Sequence, residues 1–227
     1  MNRLFIGPSL LMMLATPLLI LMGGCQKDEK GAPRAEKVSY EGTIVAAGDS
    51  LTAGFGVSED QAYPARLEKK LLKDGHRYKV INAGSSGETS SGLFSRIKWI
   101  LTLKPDIVIL ETGANDGFRG INPELTGKNI EETVRILKAN RVTVVLAGMQ
   151  IGRNLGKEYT DAFKAVYPAV AEKEEVILIP FFLEGLVGNP EVNQPDGIHP
   201  TSKGYGIVVD TIYPYVVEAI KKSKALK

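Results

Sequence analysis

Four segments of this chain are almost unbroken runs of aliphatic and β-branched residues. They are Ile44-Val45 with its alanine neighbours, Ile107-Val108-Ile109-Leu110, Val142-Thr143-Val144-Val145-Leu146 and Val176-Ile177-Leu178-Ile179. A strand with one wet face alternates apolar and polar residues, whereas a run without alternation suits a strand covered on both faces. The pattern therefore predicts a parallel sheet between two helix layers. The candidate strands are Thr43–Ala47, Tyr78–Asn82, Asp106–Glu111, Val142–Ala147 and Val176–Pro180. The helical spacing of Leu67, Leu71 and Leu72 marks Pro64–Lys73, and further helices are expected at Ser90–Leu103, Pro123–Asn140, Tyr159–Lys173 and Thr201–Ala225.

Strand–helix alternation with right-handed crossovers gives an α/β fold, a three-layer α/β/α sandwich around a five-stranded parallel sheet. The expected strand order is flavodoxin-like, 2-1-3-4-5. All strand C-termini then share one edge, with a crevice at the switch point between strands one and three. The loops Gly48–Gly56 and Gly113–Gly120 arrive there, and Ala83–Ser86 and Phe181–His199 open on the same edge.

The chain starts differently. After Arg3, residues Leu4–Met22 carry no charge, and Gly23-Gly24 precede Cys25, the only cysteine of the 227 residues. A short positive start, an apolar stretch and small residues before a cut site describe an export signal. The run approaches the roughly 20 residues of a membrane span, but Pro8 and Pro17 interrupt it. The segment Leu21–Cys25 resembles a lipobox, which implies lipidation of Cys25; an uncleaved anchor and a plain secreted protein are the alternatives. The polar stretch from Gln26 to Lys37 reads as a flexible tether. The expected organisation is a leader over 1–24, a lipidated Cys25 and tether over 25–41, and one catalytic domain over 42–227. The expected location is the cell envelope, lipid-anchored and periplasm-facing. By analogy with enteric lipoproteins, Gln26 directs it to the outer membrane of a Gram-negative cell.

Chemistry concentrates in the crevice loops. Ser50, in Gly48-Asp49-Ser50-Leu51, follows a strand and can expose both its hydroxyl and its N–H, although Gly-Asp-Ser also makes ordinary turns. A serine needs a base to take its proton and a carboxylate to orient that base. Asp196 and His199, three residues apart, suit those roles. The only other histidine, His76, lies in a Lys- and Arg-rich turn before the second strand, at the opposite edge. The Asn115 amide can donate to a developing oxyanion, although Asn-Asp pairs also make simple turns. Gly84 offers a backbone N–H that no side chain obstructs. Asp49 and Asp116 read as structural acids that orient their loops. Phe118 is the candidate acyl-pocket residue among the nearby apolar side chains Phe55, Leu155, Phe181, Phe182 and Leu183.

Taken together, Gly48-Asp49-Ser50-Leu51, Gly84, Gly113-Ala114-Asn115-Asp116 and Asp196-Gly197-Ile198-His199 resemble the four ordered blocks of the SGNH (GDSL-like) hydrolases. Leu51–Val57, Asn115–Gly120 and Pro180-Phe181-Phe182 look like the bacterial thioesterase I, arylesterase and lysophospholipase branch. The resemblance implies a Ser50–His199–Asp196 triad, with Ser50 N–H, Gly84 N–H and Asn115 as the oxyanion hole. It implies hydrolysis of aryl, short to medium acyl, lysophospholipid or thio esters, with no cofactor or metal. The alternative activity is a carbohydrate or peptidoglycan O-acetylesterase of the envelope.

Other classes fit less well. The net charge is +2, and basic residues are interspersed with acidic ones, so nothing points to a nucleic-acid partner. No obligate protein partner is evident; the expected partners are a small or lipid ester and, through Cys25, a membrane. A dinuclear phosphoesterase built on Asp49, Asn115, Asp116, Asp196 and His199 would draw on several histidines, and one reaches the crevice. A phospho-receiver needs an acidic cluster after the first strand, where Asp49 stands alone.

Overall fold

The structure, a computed structural model, describes residues 39–225. The expected leader, Cys25 and the tether as far as residue 38 lie outside the described residues. In chain order the elements are β1 (Gly42–Gly48), α1 (Ser50–Ala53), α2 (Tyr63–Lys73), β2 (Tyr78–Gly84), α3 (Ser90–Ser95), α4 (Ile97–Thr102), β3 (Ile107–Glu111), α5 (Ala114–Phe118), α6 (Pro123–Ala139), β4 (Thr143–Ala147), α7 (Lys157–Glu174), β5 (Ile177–Ile179) and α8 (Ser202–Ala225). Short 3-10 turns occupy Glu59–Gln61 and Arg153–Leu155. Among the described residues no helix is long and apolar enough to cross a membrane.

The sheet is parallel throughout, as the apolar runs imply, and has the expected order β2-β1-β3-β4-β5. β3 and β4 are buried along their whole length, which is why they tolerate no polar alternation. Helices α2 and α8 pack together, and α6 packs with α3, α4 and α7, forming the two covering layers. Register places Gly48 beside Gly84 and Glu111 beside Ala147, so the strands end on one edge.

Three local departures have identifiable causes. The loops after β1 and β3 each contain a short helix, α1 and α5, too brief to show a 3.6-residue period. In α1 the Asp49 side chain caps the start by accepting the Leu51 N–H at 2.9 Å. The helix expected over Ser90–Leu103 breaks at Arg96 (φ −103°, ψ 8°). The Arg96 guanidinium turns inward there, donating to the Glu88 carboxylate at 2.6 and 2.7 Å and to the carbonyl of Ala83 at 2.8 Å.

Candidate active site

Ser50 is the first residue of α1, directly after the Asp49 cap. The first N–H groups of a helix have no intrahelical acceptor, and the Ser50 N–H meets none among the described residues. Its hydroxyl lies 2.9 Å from His199 Nε2, and His199 Nδ1 lies 2.7 Å from Asp196 Oδ2. The other carboxylate oxygen of Asp196 accepts the backbone N–H groups of Ile198 (2.9 Å) and His199 (3.0 Å). Donation from the His199 N–H, above all, holds the Asp196 acid at about 2, so it is a carboxylate and acceptor at neutral pH. Nδ1 must then carry the hydrogen, which leaves Nε2 as acceptor for the Ser50 hydroxyl. The two segments read from sequence as nucleophile and base thus meet in one relay.

A second set of contacts fixes the imidazole. Phe55 packs against the His199 ring with centroids 4.6 Å apart. Gln194 Nε2 donates to the carbonyls of Phe55 (2.7 Å) and Pro200 (3.0 Å), tying the loop after β1 to the loop that carries the base. Gln194 was not legible as a functional residue, because nothing local distinguishes it from any exposed glutamine.

Asn115 sits in α5, where its Nδ2 donates to Asp49 Oδ2 and to the carbonyl of Glu88, both at 3.0 Å. Both amide hydrogens are therefore engaged. Asp116, the next residue, is fully buried and braces the site from behind. Its carboxylate accepts the N–H of Ser90 at 2.8 Å and hydroxyls of Ser90 and Thr126. Asp49 and Asp116 thus hold loops in place, as their sequence reading has it.

Gly84 requires correction. Its N–H donates at 2.9 Å to the side chain of Asn82, two residues earlier, so it is not available to an oxyanion. A Cβ at this position would lie 2.2 Å from the backbone nitrogen of Ala53, so glycine is needed for β2 to pass close under α1. Three residues on, Gly87 has φ +79°, and its N–H meets no acceptor among the described residues. Its neighbour Glu88 supplies the carbonyl that Asn115 holds.

A cavity of about 160 Å³ opens at the relay, lined by Ser50, Asn115 and His199 with Phe118, Met149, Leu183 and Ile198. It shares Phe118, Gln150, Leu183 and Ile198 with an adjoining trough of about 210 Å³ that continues past Ile151, Phe181, Leu186 and Val187. Phe118 is half exposed in this lining, where the sequence reading puts it. Phe182 belongs to the core instead, edge-on to Tyr63, and Leu155 lines neither space. Met149 and Gln150 were missed because the loop after β4 was left out of the crevice. The signal was present, since a parallel sheet brings that strand end to the same edge. His76 lies just before β2, away from this edge. Among the described residues, no three His, Cys, Asp or Glu side chains come together as a metal-binding group.

The chain is similar to known proteins along most of its length. Residues 46–207 match the GDSL-like Lipase/Acylhydrolase family. The chain is 38% identical over 173 residues to Esterase TesA of Pseudomonas aeruginosa, covering 76% of this chain and 86% of that protein. It is 35% identical over 169 residues to the Thioesterase 1/protease 1/lysophospholipase L1 of Escherichia coli K12, covering 74% and 80%. A crystal structure of TesA superposes with a TM-score of 0.75 at 37% identity, over 78% of this chain and 99% of that one. A family match over residues 46–207, together with relatives 35–38% identical along most of their length, places the chain in the GDSL-like lipase/acylhydrolase family of ester hydrolases.

Proposed function

We propose that the protein hydrolyses carboxylic esters through an acyl-enzyme on Ser50, with acyl groups of short to medium length seated in the apolar trough. The observation that carries this reading is the Ser50–His199–Asp196 relay at 2.9 and 2.7 Å, opening onto an apolar lining. His199 Nε2 takes the Ser50 proton as Oγ attacks the ester carbonyl, and Asp196 stabilises the imidazolium that forms. The negative oxygen of the tetrahedral intermediate is met by the Ser50 N–H, the Gly87 N–H and Asn115 Nδ2, which turns one hydrogen from the Glu88 carbonyl to the substrate. His199 then protonates the leaving oxygen or sulfur, and the same base activates the water that releases the acid.

Phe118, Leu183 and Ile198 favour a hydrocarbon tail over a sugar acetate, since their burial by substrate rewards each added methylene by about 0.8 kcal/mol. Aryl esters and lysophospholipids fit this description. Thioesters are accepted by the same chemistry, but acyl-CoA is scarce outside the cytoplasm. In the envelope location proposed for the chain, with Cys25 lipidated, thioester cleavage is a property of the purified enzyme. The reading is tested with aryl esters of increasing acyl length and with acetylated sugars, using Ser50→Ala as the blank. Phe118→Ala should change the chain-length profile more than it changes turnover of the acetate ester. An unchanged profile removes Phe118 from the acyl site, and faster cleavage of sugar acetates than of aryl esters overturns the substrate class.

A further inference from the structure

Glu111 ends β3 with no surface exposed, and the triad chemistry gives it no task. Its carboxyl occupies the space under the nucleophile turn left by Gly48, where a Cβ would come within 2.4 Å of Oε2. Oε2 accepts the backbone N–H of Asp49 at 3.1 Å and the hydroxyl of Thr52 at 2.9 Å. Oε1 is buried and has no hydrogen-bond partner. Asp49, only 1% exposed, is the neighbouring acid, and it accepts from Leu51 N–H and Asn115 Nδ2. No Lys or Arg among the described residues bonds to either carboxyl. The Arg96 guanidinium donates to the Gly48 carbonyl at 3.3 Å and is paired with Glu88.

Two buried carboxylates side by side without a cation, one with a bare oxygen, are an expensive arrangement. A single proton removes both difficulties. On Oε1 it turns the orphan acceptor into a donor and leaves one negative charge for two acids. We propose that Glu111 is a positioning residue that carries a proton on Oε1 and donates it to the Asp49 carboxylate, so that Asp49 holds the Ser50 turn and Asn115 in place. The charged and titratable groups that act on the pair are consistent with this. Tyr63 from α2, Tyr167 from α7 and Tyr205 from α8 face Glu111 as neutral phenols, and His199 lies close enough to Asp49 to favour its charge. Burial pushes both acids upward, and the adjacent Asp49 pushes Glu111 further, well above the ordinary carboxylate range.

A glutamine in place of Glu111 presents the same oxygen to Asp49 N–H and Thr52 and an N–H to the Asp49 carboxylate. Glu111→Gln should therefore keep kcat within about tenfold, with the pH profile of kcat unmoved. Glu111→Leu removes the donor to Asp49 and should lower kcat by about 10–100-fold with a smaller change in KM. The direct readout is infrared difference spectroscopy of the full-length protein at neutral pH. The C=O stretch of a protonated carboxylic acid should be present in the wild type and absent from Glu111→Gln. The absence of that band in the wild type, its persistence in Glu111→Gln, or a Glu111→Gln loss as large as that of Glu111→Leu would overturn the proposal. The wild-type band decides the question even if the leucine variant does not fold. The turnover effects rest on the triad reading, whereas the band does not, so failure of one is distinguishable from failure of the other.

Discussion

Asn115 donates one amide hydrogen to Asp49 and the other to the Glu88 carbonyl, so serving an oxyanion means exchanging one of these acceptors for the substrate. Such a donor acts on charge that exists only in the transition state. Asn115→Ala should therefore lower kcat by about 10²–10³ while KM changes much less. Steady-state kinetics on an aryl ester measures this, and a near-normal kcat with a large rise in KM would make Asn115 a binding residue. Ser50 and Asn115 were legible as candidates through the ordered blocks they sit in, and His199 through scarcity: the chain has two histidines, and one of them lies three residues from Asp196. The glycine donor was not. Gly84 and Gly87 lie three residues apart in a run of small residues, and sequence cannot tell which N–H is already used. That depends on Asn82 folding its side chain back onto Gly84.

Among the elements, the continuous apolar runs predicted a parallel sheet because burial on both faces leaves a strong signature, and strand–helix alternation led to its order. The elements that hold the chemistry are the ones without such a signature. α1 and α5 span only four and five residues, shorter than any periodicity, and are set by Asp49 as a cap and by buried Asp116. The Arg96 break arises from a side chain bonding to residues before it, a contact no local pattern encodes. Close passage of β2 under α1 gives a further prediction. Gly84→Ala places a methyl group 2.2 Å from the Ala53 backbone nitrogen, an overpacking that should reduce stability by about 1–3 kcal/mol. Chemical denaturation measures it, and an unchanged midpoint would show that β2 and α1 are not tightly packed here.

At the scale of the whole molecule, the described residues contain the sheet, both helix layers and the entire relay. If Cys25 is the anchor, Cys25→Ala should lose fatty-acid incorporation and membrane association but keep kcat on a soluble aryl ester. Metabolic labelling with a fatty-acid probe checks this, and equal label in wild type and variant would exclude Cys25 as the lipidated residue. What this scale adds to the sequence reading is convergence. Segments from residue 49 to residue 199 meet at one edge, and the loop after β4 joins them for the same topological reason. The central claim is that Ser50 is the nucleophile of that edge, activated by His199. It is tested most directly by treating the protein with a fluorophosphonate and locating the adduct by peptide mass spectrometry. The adduct should sit on Ser50, be prevented by Ser50→Ala and form far more slowly in His199→Ala. An adduct on another residue, or full-rate labelling without His199, would contradict the account.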